Sequence, residues 1–264
     1  MARYRLIVSY DGTDFCGWQR QKSHAHASPL PSIQQTLETA LTRVLNHPVS
    51  LSASGRTDAG VHAVAQVCHF DTDRKLPRDL CWALKSQLPP SISVKDCQPV
   101  PAYFHATLSA TRKTYRYWIW NHPRAPALLC RYSWWIRRPL DLALLNQLTE
   151  PLVGEHDFAS FRSEGTPVRH TVRKIHRAVW RQRREGIIEF SVTGNGFLKQ
   201  MVRNLVGTLV TLSWNDPNPE KIKQIMKLKD RTKAGMAAPP QGLFLLHVVY
   251  PGTAIQVDKA KPKI

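Results

Sequence analysis

The sequence is poor in acidic residues and lacks the short motifs that commonly mark a bound cofactor or metal. It has no G-x-x-x-x-G-K-[ST] phosphate loop, no complete G-x-G-x-x-G dinucleotide motif, no H-E-x-x-H pair and no serine or cysteine in a nucleophile elbow. We therefore expect no metal and no nucleotide cofactor. Any chemistry must then run through ordinary side chains.

Cysteine usage and hydrophobic runs exclude further classes. The five cysteines are odd in number and widely spaced, without a C-x-x-C pair, which argues against a disulfide framework or a zinc cage. No apolar run approaches the roughly 18 residues of a membrane span, and Met1 leads into a strand pattern with no signal-peptide core. His24 and His26 share a polar loop without further ligand types, so we expect them to be solvated. The sequence predicts a cytoplasmic protein that makes no membrane contact.

Positive charge is what the sequence has in excess. Among 264 residues, 37 are Lys or Arg and 19 are Asp or Glu, a formal net charge of +18. A hydrophobic content of 42% describes a folded chain, long enough for two subdomains. Such an excess favours a polyanionic partner, most commonly nucleic acid. General solubility is the alternative explanation.

Hydrophobic periodicity predicts strands and helices in both halves of the chain, without a sequence repeat. Strands are expected at 3–10, 49–52, 61–70, 91–94, 113–120, 171–180, 186–193 and 243–250, and helices from Ser32 to Leu45 and at 77–88, 140–148, 197–212 and 219–228. The fold class is therefore α+β. We place one α+β subdomain at 1–107, a second at 108–251 and a basic tail at 252–264.

A polar loop around Asp58, between two predicted strands, is the first candidate site. Gly55 and Gly60 allow positive φ or close approach, and Thr57 and Asp58 can bond nearby backbone N–H groups. Such a loop would hold the Asp58 carboxylate in one orientation. Ordinary turn capping, with Arg56 paired to Asp58, explains the same residues.

Three other stretches could contribute to a site. Trp18 and Gln19 follow a phenylalanine and a glycine, a mixture suited to stacking on and bonding to bases, although a core contact between Phe15 and Trp18 is equally plausible. Tyr115 lies in an aromatic strand and offers a stacking surface and a hydroxyl. Ordinary strand packing is its alternative. Residues 237–243 form a rigid loop that says little alone.

Two cations lie at the start of the most apolar helix. Lys199 and Arg203 are predicted one turn apart on one strip of it. A charge on so apolar a helix needs a partner, which could be a carboxylate or a phosphate. Exposure of the strip to solvent is the alternative.

Five blocks, in order, resemble the tRNA pseudouridine synthase A family. The first three are YDGT and GWQ at 10–13 and 17–19, GRTDAGVHA at 55–63 and KTYRY at 113–117; the others are FL and MVRN at 197–198 and 201–204, and AP and GL at 238–239 and 242–243. The resemblance spans nearly the whole chain. Three departures affect only the expected rim of the cleft: a longer loop at 22–31, and Ala65 and Ala237 where glycine and threonine are expected.

The resemblance implies two ferredoxin-like, RNA-recognition-like subdomains joined around a central antiparallel sheet with a basic cleft. It implies a homodimer that binds the anticodon stem-loop of tRNA and converts uridine to pseudouridine at positions 38, 39 and 40, without metal or cofactor. Two alternatives remain: a pseudouridine synthase acting at other RNA sites, and a basic RNA-binding protein without turnover.

Residue roles follow from matching positions. Asp58 matches the nucleophile, Tyr115 the residue that stacks on the target uracil and can help move its proton, and Arg203 the cation that pairs with the aspartate. Arg56 matches the residue that holds the target nucleotide out of the stem. Lys199, Trp18 and Gln19 are further candidate contacts to the substrate.

Overall fold

A computed structural model describes residues 1–21, 30–165 and 168–252. His24, His26, most of the loop 22–31 and the tail beyond residue 252 lie outside the described residues. The chain divides into two compact units, Met1–Thr111 with Leu245–Ile264, and Arg112–Phe244. Among the described residues, no helix combines the length and the apolarity that crossing a membrane requires.

The first unit has the strand order of a ferredoxin-like module. Its elements are β1 (Ala2–Tyr10), α1 (Ile33–Leu45), β2 (Ser52–Ala53), β3 (His62–Thr72), α2 (Leu80–Lys85) and β4 (Ile92–Val100). The strands lie in the order β4-β1-β3-β2, and each neighbouring pair is antiparallel. A helix separates β1 from β2 and another separates β3 from β4, which is the βαββαβ arrangement.

Helix α1 begins and ends where local chemistry dictates. The Ser32 hydroxyl oxygen accepts a hydrogen bond from the Gln35 backbone N–H at 3.1 Å, which caps the first turn at the predicted start of the helix. Asn46 ends the helix in the left-handed region at φ 48°. The buried stripe spaced for one helical face comprises Ile33, Leu37, Leu41 and Leu45.

A register shift in β1 brings its end beside the Asp58 loop. Along most of the strand the pairing with β3 is regular, with Leu6 opposite Cys68 and Val8 opposite Gln66. The register then slips, so that Tyr10 lies opposite Ala63 at the start of β3. Tyr10 is thereby positioned next to the loop that precedes β3.

The second unit also combines mostly antiparallel strands with helices. Its elements are β5 (Arg112–Asn121), β6 (Trp134–Ile136), α3 (Leu142–Thr149), β7 (Gly154–Asp157), β8 (Val172–Arg184), β9 (Ile187–Gly194), α4 (Met201–Asn215) and α5 (Pro219–Leu228). The order is β5-β9-β8-β7, with β6 parallel to the end of β5. The last strand, β10 (Leu243–Val249), crosses the boundary between the units at 244/245.

The α+β class is confirmed, and several element boundaries differ from the sequence prediction. Helix α2 begins at Leu80, not at residue 77, because the Asp79 carboxylate accepts from the Trp82 N–H at 2.9 Å and caps it there. Strand β4 extends to Val100. Strands β6 and β7 were not predicted, since they have only three and four residues.

Candidate active site

Asp58 lies in a tight turn between β2 and β3. Its carbonyl accepts a hydrogen bond from the Val61 N–H at 3.2 Å, and Gly60 within the turn has φ 74°. Asp58 is half-buried, whereas Val61, His62 and Ala63, which follow the turn, are buried. The backbone of the turn is therefore defined, and the Asp58 side chain is not fully buried.

A buried hydrogen-bond network of neutral groups supports this turn. The Ser54 hydroxyl donates to the Gln66 side-chain oxygen at 2.6 Å, and the Gln66 amide donates to the Gly55 carbonyl at 2.8 Å. The Tyr10 and Thr57 hydroxyls bond each other at 2.8 Å. Burial raises the pKa of Tyr10 well above its usual range, so it stays neutral. Buried polar groups that satisfy one another in this way fix one backbone conformation.

Two glycines let the chain after β1 lie directly against the Asp58 turn. Gly17 has φ 104°, and a Cβ there would be 2.7 Å from the Thr57 carbonyl oxygen. A Cβ on Gly12 would be 2.1 Å from the Val61 carbonyl oxygen. The Trp18 N–H donates to the Thr57 carbonyl at 3.0 Å. The sequence did not reveal these supporting roles of Gly12 and Gly17, although the two glycines lie in the matched blocks YDGT and GWQ.

The other predicted contacts in the first unit differ in exposure. Trp18 is only 1% exposed, and its ring centre lies 6.1 Å from that of Tyr10, which favours its packing alternative. Gln19 and Arg56 are exposed. A polyanion could therefore reach Gln19 and Arg56, whereas the Trp18 ring supports the turn from inside.

Tyr115 lies on β5 in the second unit and is 8% exposed. Its ring meets the Phe197 ring edge-on, with centroids 5.1 Å apart. Tyr117, two residues on and so on the same face of the strand, donates its hydroxyl to the Pro239 carbonyl at 2.7 Å. The pKa of Lys113, also on this face, is lowered to about 8, first by burial and then by the charge of Arg173. This face of β5 is thus aromatic and partly desolvated.

Arg203 lies in the first turn of α4, half-buried. Its Nε donates to the Ala238 carbonyl at 2.7 Å, and the Ala238 N–H donates back to the Arg203 carbonyl at 3.0 Å. The backbone bond holds residue 238 beside Arg203, and the Nε bond holds the guanidinium against the Ala238 carbonyl. No such partner was expected from the sequence, where residues 237–243 looked uninformative.

The prediction that Lys199 and Arg203 share one strip of a helix is wrong. Helix α4 begins only at Met201, because Gln200 adopts the left-handed conformation at φ 58° and interrupts the helical path. Lys199 is exposed and donates from Nζ to the Glu164 carbonyl at 2.7 Å. Its orientation is therefore independent of α4.

Within each unit, some of the predicted residues are brought together. The first unit brings the Trp18 segment against the Asp58 turn, and the second joins the Tyr115 strand to the Arg203 helix through the 238–239 segment. Within residues 1–21, 30–165 and 168–252 no three His, Cys, Asp or Glu side chains cluster closely enough to hold a metal ion.

Known proteins match nearly the whole chain. A family model described as tRNA pseudouridine synthase matches residues 6–107 and 149–251. The tRNA pseudouridine synthase A of Bdellovibrio bacteriovorus is 52% identical over 253 residues, covering 94% of this chain and 95% of that protein. Its counterparts in Maridesulfovibrio salexigens and Xanthomonas campestris pv. campestris are 43% and 41% identical, covering 95% and 94% of this chain and 91% and 95% of their own.

Proposed function

Because this chain belongs to the tRNA pseudouridine synthase family, we propose that it acts on the anticodon stem-loop of tRNA, at positions 38, 39 and 40, by covalent catalysis from Asp58. Family membership makes it an isomerase that converts uridine in tRNA to pseudouridine. The rigid turn that presents Asp58 supports the choice of that carboxylate as the nucleophile, since its backbone conformation is set before substrate arrives.

The proposed reaction exchanges one bond of the uridine for another. The ionised Asp58 carboxylate adds covalently to the nucleotide, at the ribose or at the base ring. The N1–C1′ glycosidic bond breaks, the uracil turns, and a C5–C1′ bond forms. The proton on C5 is then released, N1 takes up a proton, and Asp58 leaves as a carboxylate. Tyr115 stacks on the uracil and helps to move that proton.

Three cations and an amide complete the proposed site. Arg203 is the cation proposed to pair with the Asp58 carboxylate. Arg56, Gln19 and Lys199, all exposed, contact the RNA and help to hold the target nucleotide outside the stem. Flipping a nucleotide costs a few kcal/mol, which backbone contacts from basic side chains can supply. Trp18 acts in this proposal as a buried support, because its ring is 1% exposed.

We further propose that the enzyme is a homodimer in the cytoplasm. The support is the resemblance described above. Sedimentation equilibrium of the 30.0 kDa chain tests the oligomeric state. A species of twice the chain mass is expected, and a monomer throughout the assay concentration range would contradict it.

Tritium release from tRNA labelled at C5 of uridine tests the proposed sites. One tRNA carries uridine at 38, 39 and 40; a matched tRNA carries cytidine there and is otherwise identical. We expect release from the first and none from the second. Equal release from both would favour other RNA sites. Salt-dependent binding of both tRNAs without release from either would favour a binding protein without turnover.

A further inference from the structure

Arg231 is a half-buried cation whose recorded acceptors are all neutral. It opens the short 3-10 turn Arg231–Lys233. One terminal nitrogen donates to the Gly235 carbonyl at 2.9 Å and, more weakly, to the Ala234 carbonyl at 3.4 Å; the other donates to the Asn204 side-chain oxygen at 3.0 Å. Burial lowers its pKa. Among the described residues no carboxylate pairs with it, so neutral oxygens alone compensate for the partial burial of its charge.

The acceptors of Arg231 lie in two segments that pack against each other, residues 234–235 and helix α4. Residues 234–239 lie flat on α4, where a Cβ on Gly207 would be 1.8 Å from the Met236 carbonyl oxygen. The Gly235 N–H donates to the Thr208 hydroxyl at 2.9 Å. Arg231 bridges the start of this segment to Asn204, which is one residue from Arg203.

The helix side of this bridge is itself fixed. Asn204 is fully buried, and its amide donates to the Phe161 carbonyl at 2.8 Å and to the Ser163 hydroxyl at 3.2 Å. Its side-chain oxygen is thus held in place for Arg231. The fork of a guanidinium suits such a two-point connection, because its donors are rigidly related.

The far end of the segment meets the Arg203 guanidinium. Ala238 is fully buried, and its carbonyl accepts from Arg203 Nε at 2.7 Å. Pro239 is anchored by the Tyr117 hydroxyl at 2.7 Å. A shift of residues 234–239 would therefore carry the acceptor of Arg203 with it.

We propose that Arg231 is a positioning residue for the reaction: it clamps residues 234–239 onto α4 and so fixes the direction of the Arg203 guanidinium. The inference rests on the proposed role of Arg203. It assigns to Arg231 an effect on the chemical step, with tRNA affinity unchanged.

Single-turnover rate, tRNA affinity and Tm are measured for Arg231→Met, with Lys233→Met as the matched control. Lys233 lies in the same 3-10 turn, is exposed and loses the same charge. We expect the rate of Arg231→Met to fall about tenfold or more, since a small displacement of a catalytic group has effects of this size, with tRNA Kd within about twofold of wild type. Arg231→Lys should recover part of the rate, because an ammonium can still bind the Gly235 carbonyl. Lys233→Met should match wild type.

A second variant guards against simple unfolding. Tyr117→Phe keeps the ring and removes only the anchor of Pro239, and it should show a smaller loss of the same kind. If Arg231→Met fails to fold, the single-turnover rate of Tyr117→Phe tests the inference instead. An unchanged rate in the folded variant, or a rate loss matched by an equal loss of tRNA affinity, overturns the inference.

The Arg203→Lys background separates this inference from the proposed function. There, Arg231→Met should lower the rate less than about twofold, because the group that it positions has gone. The same fold loss in both backgrounds would overturn the inference. Full activity of Arg203→Lys would instead refute the role proposed for Arg203.

Discussion

The two units hold their principal functional side chains in different ways. Asp58 is placed by the shape of its backbone turn, which neutral groups and two close-packed glycines secure. Arg203 is placed by an acceptor 35 residues along the chain, the Ala238 carbonyl, in a segment clamped by a charged side chain. A short carboxylate takes its direction from the backbone, whereas a long guanidinium needs a distant acceptor.

Because the two side chains are held differently, we expect the two units to be sensitive to different substitutions. The first unit should be most sensitive to bulk added where chain approaches chain, and less sensitive to the loss of a single buried hydroxyl. The second should fail when a donor or acceptor is removed without a change of volume. The following substitutions test that contrast.

Gly17→Ala should have the largest effect, on folding as well as activity. The added Cβ would lie 2.7 Å from the Thr57 carbonyl at a φ of 104°. We expect a loss of about 3 kcal/mol in the free energy of unfolding, from backbone strain and overlap together. Urea unfolding measures it. Gly252→Ala is the control: φ is 68° and no atom of the described residues lies within 4 Å, so it should lose about 1 kcal/mol. Equal losses would show that crowding against the turn is unimportant.

Arg203→Lys should lower the single-turnover rate about 100-fold while leaving stability nearly unchanged. Lysine keeps the charge but loses the Nε contact to Ala238 and the planar fork. The exposed Arg181→Lys serves as the control for the same chemical change. A rate within about threefold of wild type would mean that charge alone suffices at this position.

Tyr10→Phe should cost about 1–3 kcal/mol in the free energy of unfolding, because it leaves the buried Thr57 hydroxyl without this partner. Activity should fall in proportion to the loosening of the turn. Tyr4→Phe removes a hydroxyl without a hydrogen bond among the described residues and should be nearly neutral. If both variants unfold at the same urea concentration, the network beneath the turn adds no stability.

Lys113→Met should show its effect as a pH dependence of stability. The pKa of Lys113 is lowered to about 8 in the folded chain, from 10.5, by burial first and Arg173 second. Between these values the unfolded chain binds more protons, so the stability of wild type relative to the variant should rise with pH from about 8 to about 10.5. Below pH 8 the cost of burying the charge is fully present. Urea unfolding of wild type and Lys113→Met across this range checks it, with Lys85→Met, which removes an exposed lysine, as the control.

The sequence was sufficient for the α+β class and for the Asp58 turn, because both depend on local patterns. The Ser32 cap and the glycines and polar residues around Asp58 lie within a few positions of the groups they serve. The short strands β6 and β7 carry too few residues for a periodic pattern.

The support of Arg203 could not be predicted, since its partners are distant in the chain and chemically plain. An alanine carbonyl, an arginine and an asparagine at positions 238, 231 and 204 show no motif. The start of α4 was predicted too early, because the apolar pattern continues through Gln200 although its backbone is left-handed. The hydrophobic period indicates which residues are buried, but it does not show where the backbone leaves the helical path.

The comparison of tritium release by wild type and Asp58→Asn tests the central claim most directly. Asparagine keeps the shape of the side chain but cannot act as an ionised nucleophile, so release should fall by about 10³-fold or more, with tRNA binding and Tm unchanged. Release by Asp58→Asn at a rate close to wild type would contradict covalent catalysis from this carboxylate.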